Sequence, residues 1–148
     1  MARKSRKNGF DTTMLQRYAD RLEAVAGTDA LKRAAQAGMA AAKVETNRQL
    51  TAAVQSGNLP AGGKYSTGDT LESIDKTMTA AWSGNIATMP LGFDMSKSGL
   101  ASIMLMYGTP KMPPAPGLHE ALYGTASLRR VRKEQEAAIL KVLERLGG

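Results

Sequence analysis

The side chains most often used in catalysis are scarce in this sequence. His119 is the only histidine, so a metal site built from several histidines is excluded. A Ser–His–Asp arrangement would have to use His119, yet the chain contains no Gly-x-Ser-x-Gly motif that would place a nucleophilic serine. Cysteine is absent, which excludes thiolate metal ligands, a cysteine nucleophile and disulfide bonds. We therefore expect no enzymatic activity and no bound cofactor or metal.

The glycine-rich segment from Ser56 to Gly68 is the next candidate for chemistry. It contains Gly62-Gly63-Lys64-Tyr65, but it lacks the Gly-Lys-Ser/Thr ending and the preceding strand of a phosphate-binding loop. Thr67-Gly68-Asp69-Thr70 offers oxygen ligands for a cation, but no second acidic cluster is spaced to complete a site. The segment is predicted to be a loop of about a dozen residues, a length that is usually functional or disordered.

The net charge of +7 is concentrated at the two ends of the 148-residue chain. From Leu128 onward there are six bases and three acids, whereas residues 8–127 contain ten of each and are neutral. Residues 1–9 are predicted to be a flexible basic arm, and residues 10–148 a single domain. The arm either contacts DNA phosphates without reading sequence or serves only as a solubilising tail. The candidate phosphate contacts are Arg3, Lys4, Arg6 and Lys7.

Two N-terminal helices are predicted from apolar residues at helical spacing. The first begins at Asp11 or Thr12 and ends at Gly27, and its apolar stripe is Met14, Tyr18, Leu22 and Val25. The second runs from Thr28 or Asp29 to about Gln55, with small residues and Gly38 on its stripe. Small residues allow another backbone to approach closely. This helix is therefore either a tightly packed core helix or one that also forms a subunit contact.

A small antiparallel sheet is predicted in the second half of the chain. Lys76–Ala81 and Ile86–Met89 form a hairpin around Gly84-Asn85, and the alternating Leu100–Tyr107 forms a further strand. The proline-rich Gly108–Gly117 must be extended, and Leu128–Leu146 is a strongly amphipathic helix. The fold class is therefore α+β: two N-terminal helices, a small sheet with long loops, and a C-terminal helix. No segment is apolar enough to span a membrane, no signal peptide is recognised, and a cytosolic protein is expected.

Two segments carry a resemblance to a known family. In Ile103–Leu122 an apolar stretch ends in an aromatic residue and is followed by Gly-Thr, a basic residue with methionine, prolines and an apolar-led helix. Thr67–Ile74 is similar to a Gly-x-Leu-x-x-Ser-Ile stretch of the same family. The chain resembles the small tail-completion and head–tail joining proteins of long-tailed double-stranded DNA bacteriophages. Met106 departs from the acidic residue common there, and Gly117-Leu118 from the frequent Pro-Phe.

The resemblance implies a strand before the Gly-Thr pair and a non-enzymatic virion protein at the phage neck. The implied partners are further copies in a hexameric ring and the connector and tail-tube proteins, with contact to DNA in the lumen. Flexible methionines and a rigid proline corner suit such an interface. The alternative is a small basic nucleic-acid-binding protein. The candidate interface residues are Lys64, Tyr65, Met104, Met106, Tyr107, Gly108, Lys111, Met112, Pro113 and Pro114.

Overall fold

The computed structural model describes residues 16–17, 19–20, 28–57, 59–63 and 65–147. The predicted arm with Arg3, Lys4, Arg6 and Lys7, most of the predicted first helix, and Lys64 lie outside these residues. Gln16, Arg17, Ala19 and Asp20 are helical, in agreement with a helix at those positions. The elements that follow are α1 (Thr28–Ser56), α2 (Thr67–Glu72), β1 (Ala81–Ser83), β2 (Ile86–Thr88), α3 (Gly99–Tyr107), α4 (Leu118–Tyr123) and α5 (Thr125–Gly147).

The fold is mostly helical with one small two-stranded antiparallel sheet, which agrees broadly with the expected α+β class. The long second helix, the hairpin and the C-terminal helix are confirmed. In the hairpin Trp82 pairs with Ala87, and Gly84 in the turn has a φ of 61°, a left-handed value that favours glycine. The strands are shorter than predicted. No helix of the described part is long and apolar enough to cross a membrane.

The strand predicted for Leu100–Tyr107 is wrong, because this segment is the helix α3. Its buried residues Ser102, Leu105 and Met106 are spaced by three and one, so a helix directs them to one side. A strand would have sent Leu105 and Met106 to opposite faces. The segment is apolar on every side, and hydrophobic periodicity does not separate a helix from a buried strand in such a run. The segment is a helix because that conformation buries Leu105 and Met106 together in the core.

The prediction that the proline-rich segment is extended is wrong for Thr109–Met112, which forms a turn. Thr109 and Met112 exchange two backbone hydrogen bonds, of 2.8 and 3.1 Å, which close a tight turn over Pro110 and Lys111. The Ala115 N–H then donates to the Leu105 carbonyl at 2.7 Å, so the chain returns to α3 before α4 begins. The segment therefore links the two helices by a fixed route.

The core lies between the second half of α1 and the short helices. Val54 and Leu50 of α1 are fully buried, and each belongs to one of two neighbouring apolar clusters. The buried members of these clusters are Leu50, Val54, Ile74, Leu105, Met106, Leu118 and Ala121. Burying a side chain such as Leu118 contributes about 1.5–3 kcal/mol relative to exposing it. The core thus fixes α3 and α4 against α1.

The long helices α1 and α5 pack side by side. Gly38 lies beside Ile139, and Gln49 Nε2 donates to the Ser127 carbonyl at 3.4 Å, so the two helices are antiparallel. A Cβ atom built on Gly38 would lie 2.7 Å from Ile139 Cγ1. The sequence left open whether the small residues of this helix serve close packing within the chain or also a contact with another subunit. At Gly38 the structure shows close packing within the chain. No residue of α5 is fully buried, so the pair is held by half-buried side chains.

Gly38→Val is expected to lower the free energy of unfolding by about 1–3 kcal/mol, the usual cost of overpacking. The added methyl groups would collide with Ile139 and Gln135 of α5. Urea unfolding followed by circular dichroism measures the change. Gly68→Ala is the matched control, because Gly68 lies in helix α2 and a Cβ there meets no atom within 4 Å. Gly68→Ala is expected to leave the free energy of unfolding unchanged or to raise it. If both variants lowered the free energy of unfolding equally, the loss in Gly38→Val would not be due to close packing against α5.

Candidate assembly surface

One face of α3 remains exposed although its residues are apolar. Leu100, Met104 and Tyr107 are spaced by four and three residues, which places them on one stripe of the helix. Leu100 is 55% exposed and Tyr107 is 58% exposed. The opposite stripe enters the core through Leu105 and Met106. The outer stripe of this short helix is exposed to solvent in the described part of the chain.

Aromatic side chains of α4 continue this stripe. The rings of Tyr107 and His119 meet edge to face with centroids 5.7 Å apart, and His119 and Tyr123 lie 5.0 Å apart on the same face of α4. His119 and both tyrosines are exposed. We call the set Leu100, Met104, Tyr107, His119 and Tyr123 the α3–α4 surface. No charged residue occurs between Lys97 and Lys111, so its α3 half is uncharged.

A cleft of about 330 Å³ lies beside the α3–α4 surface. Tyr65 forms one wall, and its hydroxyl donates to Met104 Sδ at 3.8 Å, a long and weak bond. The other lining residues are Lys97, Ser98, Leu100, Ala101 and Met104. The cleft is mainly apolar, and its polar members are Lys97, Ser98 and the Tyr65 hydroxyl.

Gly108 ends α3 in a conformation that few other residues can adopt. Its φ is 76°, and a Cβ built on it would lie 2.9 Å from the Met112 carbonyl oxygen and from Pro114. The buried Leu118 then anchors α4 beside α3. Gly108 and the turn after it therefore set the position of Tyr107 relative to His119.

The predicted interface residues are only partly brought together at the surface. Met106 is 4% exposed and belongs to the core, so the expectation that it contacts a partner is corrected; the helical geometry of α3 turns it inward. Met112 and Tyr65 are half-buried and pack against the core cluster, and Gly108 is half-buried. Lys64 lies outside the described residues. The predicted residues that are exposed are Met104, Tyr107, Lys111, Pro113 and Pro114.

Sequence reasoning missed Leu100, His119 and Tyr123 as members of this surface. A signal was present, because Leu100, Met104 and Tyr107 have helical spacing and His119 and Tyr123 are four residues apart. His119 lies in the first turn of α4, and its contact with two tyrosines depends on how α3 and α4 pack.

A buried ammonium group of α1 holds the segment that carries the hairpin. The side chain of Lys43 is fully buried, forms an ion pair with Asp75, and donates to the Pro90 carbonyl at 2.8 Å. Asn47 Nδ2 donates to the Asp75 carbonyl at 3.1 Å. The hydrogen bond from Lys43 holds the pKa of Asp75 below its ordinary value. We call Lys43, Asp75 and the Pro90 carbonyl the lysine clamp; it joins the two ends of the segment that carries the hairpin.

Glu45 of α1 is held in its ionised form by its neighbours. Arg48 donates two hydrogen bonds to it, of 2.9 and 2.6 Å, and Gln49 donates one of 2.8 Å. These bonds lower the pKa of Glu45 to about 2, against a small opposing effect of burial. Gln49 also reaches the Ser127 carbonyl, so the group supports the contact between α1 and α5.

Stability is expected to decrease as pH falls from about 4.5 to about 2, because Glu45 must take up a proton that the unfolded chain binds already at its ordinary pKa of 4.5. Arg48 is largely exposed, so solvent screening limits the contribution to about 1 kcal/mol. Asp75 and Asp94, whose pKa values are also lowered, act in the same direction. The contribution of Glu45 is measured as the difference in thermal midpoint between the wild type and Glu45→Gln, at pH 6 and again at pH 3. If this difference is not smaller at pH 3 than at pH 6, the ionised Glu45 does not stabilise the fold.

Comparison of the chain with protein-family models, with curated proteins and with solved structures finds no match. The surface must therefore be interpreted from its own chemistry. Among the described residues no three His, Asp or Glu side chains are grouped so as to hold a metal ion. The features of the described part that stand out chemically are an exposed aromatic surface and a buried ion pair.

Proposed function

We propose that this chain is a structural virion protein that forms a ring at the neck of a long-tailed bacteriophage, where it completes the tail or joins tail to head. The observation that carries the proposal is the α3–α4 surface. Five large apolar or aromatic side chains are clustered there on two helices that the core holds in place. The resemblance of the sequence to tail-completion and head–tail joining proteins supplies the class and the expected hexamer.

The chemistry of the α3–α4 surface is that of a protein interface. Tyrosine supplies a large contact area and loses little conformational entropy on binding, and methionine adapts to an imperfect partner. Interface centres are depleted of charge and enriched in aromatic residues and methionine. The stretch from Ser98 to Pro110 contains no charged residue and exposes Met104 and Tyr107.

The segment order also supports the proposal, with one departure. The resemblance implies a short basic loop and then a helix after the Gly-Thr pair, and the chain has a short connection containing Lys111 followed by α4. It also implies a strand before that pair, whereas α3 is a helix. The support therefore comes from the turn, α4 and the exposed surface, and not from a strand.

The proposal is tested by measuring the mass of the purified full chain. Multi-angle light scattering and sedimentation velocity are expected to give a discrete multiple of 15.7 kDa, and negative-stain electron microscopy is expected to show closed rings. A protein that stays monomeric at every accessible concentration would overturn the assembly role.

Nucleic-acid binding is the second candidate, and one observation favours it. Arg129, Arg132 and Lys133 on the first half of α5 are exposed, and within the described residues no ion pair holds them. Glu134 and Glu136 on the same part of the helix partly offset their charge. Titration of the full chain with duplex DNA at several salt concentrations separates the candidates: tight binding with a steep salt dependence favours this second role.

A further inference from the structure

A cavity of about 390 Å³ lies between the β1–β2 hairpin and the first half of α1. Its described lining residues are Leu31, Lys32 and Ala35 of α1, and Trp82 and Asn85 of the hairpin. The volume falls within the range of about 300–1,000 Å³ that is usual for small-molecule sites. None of the five residues belongs to the α3–α4 surface or to the lysine clamp. The cavity is therefore a separate candidate site.

The cavity combines a positive charge with an aromatic wall. The Lys32 ammonium lies 5.6 Å from the centre of the Trp82 ring, within the range of a cation–π contact. Lys32 is exposed and forms no ion pair with any residue of the described part. Asn85, in the hairpin turn, adds a carboxamide that can both donate and accept hydrogen bonds. The polar groups of the cavity therefore suit a negatively charged ligand.

The rest of the lining is apolar and partly open. Leu31 and Ala35 are four residues apart, so they share the face of α1 that borders the cavity. Leu31 is 54% exposed and Trp82 is 38% exposed, which leaves part of the indole ring accessible to a ligand. Aromatic rings stack on an indole in an offset arrangement. An aliphatic and indole lining therefore favours a ligand with a planar ring.

The two walls of the cavity are held together before any ligand binds. Gln36 of α1, next to Ala35, donates to the Met78 carbonyl at 3.0 Å and accepts from the Ala80 N–H at 3.3 Å. After the second strand, the lysine clamp ties the Pro90 carbonyl to α1. Because the hairpin is attached to α1 on both sides, binding requires little ordering of the chain. A pre-organised site keeps more of its contact energy on binding.

We propose that this cavity binds a small anion built on a planar aromatic ring, with the ring against Trp82 and the anionic group at the Lys32 ammonium. The ammonium supplies charge complementarity, the indole supplies a stacking surface, and Asn85 supplies a hydrogen bond to a polar edge of the ligand. A cationic ligand would be repelled by Lys32, and an aliphatic anion would not stack on Trp82. Aromatic carboxylates and nucleotides share the required chemistry.

Trp82 is the only tryptophan of the chain, so tryptophan fluorescence reports on this cavity directly. The purified full chain is titrated with benzoate and, separately, with adenosine monophosphate, with excitation at the red edge of tryptophan absorption. We expect a saturable change in emission, and the ligand that binds more tightly identifies the source as an aromatic acid or a nucleotide. Benzamide and adenosine keep the rings but lack the charge. They are expected to bind about fivefold more weakly, the upper range for one exposed ion pair.

Lys32→Gln is expected to weaken binding of the charged ligand by about the same factor, because it removes the complementary charge. Lys97→Gln is the matched control, since Lys97 is also an exposed lysine but lines the cleft beside α3. Its affinity should equal that of the wild type. Both positions are exposed, so circular dichroism spectra of the variants should match the wild type.

Three results would overturn the inference. The first is an emission change that does not saturate with either ligand. The second is an unchanged affinity in Lys32→Gln. The third is equal weakening in both lysine variants, which would show only a general attraction of anions to a chain of net charge +7. None of these results bears on ring formation, because the cavity and the α3–α4 surface have no residue in common.

Discussion

Asp75→Ala is expected to lower the free energy of unfolding by about 3–5 kcal/mol, as breaking a buried ion pair by removal of one partner does. The substitution leaves the Lys43 ammonium with no side-chain exposure and only the Pro90 carbonyl as a partner. A domain of this size is stable by about 5–15 kcal/mol, so the variant is expected to be partly unfolded under mild conditions. Urea unfolding monitored by circular dichroism measures the loss.

Replacing the other partner of the ion pair, Lys43, is expected to lower the free energy of unfolding by a smaller amount. In Lys43→Met the remaining carboxylate of Asp75 keeps 17% of its side-chain surface exposed and its bond from the Thr77 N–H at 2.8 Å. Water and the backbone can therefore solvate it in part. Glu72→Ala, which removes an exposed carboxylate three residues away, is the control and should change stability by less than about 0.5 kcal/mol. If Lys43→Met proved more destabilising than Asp75→Ala, the assignment of Lys43 as the costly buried charge would be wrong.

Leu100→Glu is expected to abolish ring formation while the monomer stays folded. Leu100 lies at the start of the α3–α4 surface and lines the cleft, so a carboxylate there would lose its hydration in the interface, with Lys97 of the same cleft offsetting part of its charge. Loss of one buried apolar contact of this kind typically costs about 2 kcal/mol, which weakens association about 30-fold. Sedimentation velocity across a concentration series measures the shift from ring to monomer.

Leu140→Glu is the matched control for assembly. Leu140 is 58% exposed on α5 and Leu100 is 55% exposed on α3, and both variants replace leucine by glutamate on an exposed helix face. We expect Leu140→Glu to assemble as the wild type does. If both variants assembled normally, the α3–α4 surface would not be the interface. If both variants failed to assemble, the loss of assembly would be due to the added negative charge and not to the position of the substitution.

Local chemistry was enough to predict the elements that depend on few residues. The hairpin follows from Gly84-Asn85 between two β-capable runs, since a turn with positive φ specifies the pairing of its neighbours. The long α1 and α5 follow from helical spacing repeated over many turns. Only the ends of these elements differed from the predicted ones.

The helix α3 shows where local chemistry fails. Leu100–Tyr107 satisfies the pattern of a strand and that of a helix, and neither pattern distinguishes the outer side from the inner side. The choice depends on Leu105 and Met106 packing together against Val54 and Leu118, residues distant in the sequence. The error included the buried Met106 among the candidate interface residues and omitted the exposed Leu100. A change of period moves every side chain of a segment to a new direction.

The sequence by itself determined the balance of charges, the absence of cysteine, and the long helices and hairpin of this protein. It also indicated Met104 and Tyr107 as candidate interface residues, and both side chains are exposed. Only the tertiary structure decided that Lys43 is buried and that His119 lies between two tyrosines. The physical reason is that burial and side-chain contact are set by groups far apart in the chain. A lysine or a histidine carries no local signal of which partner the packed fold will bring to it.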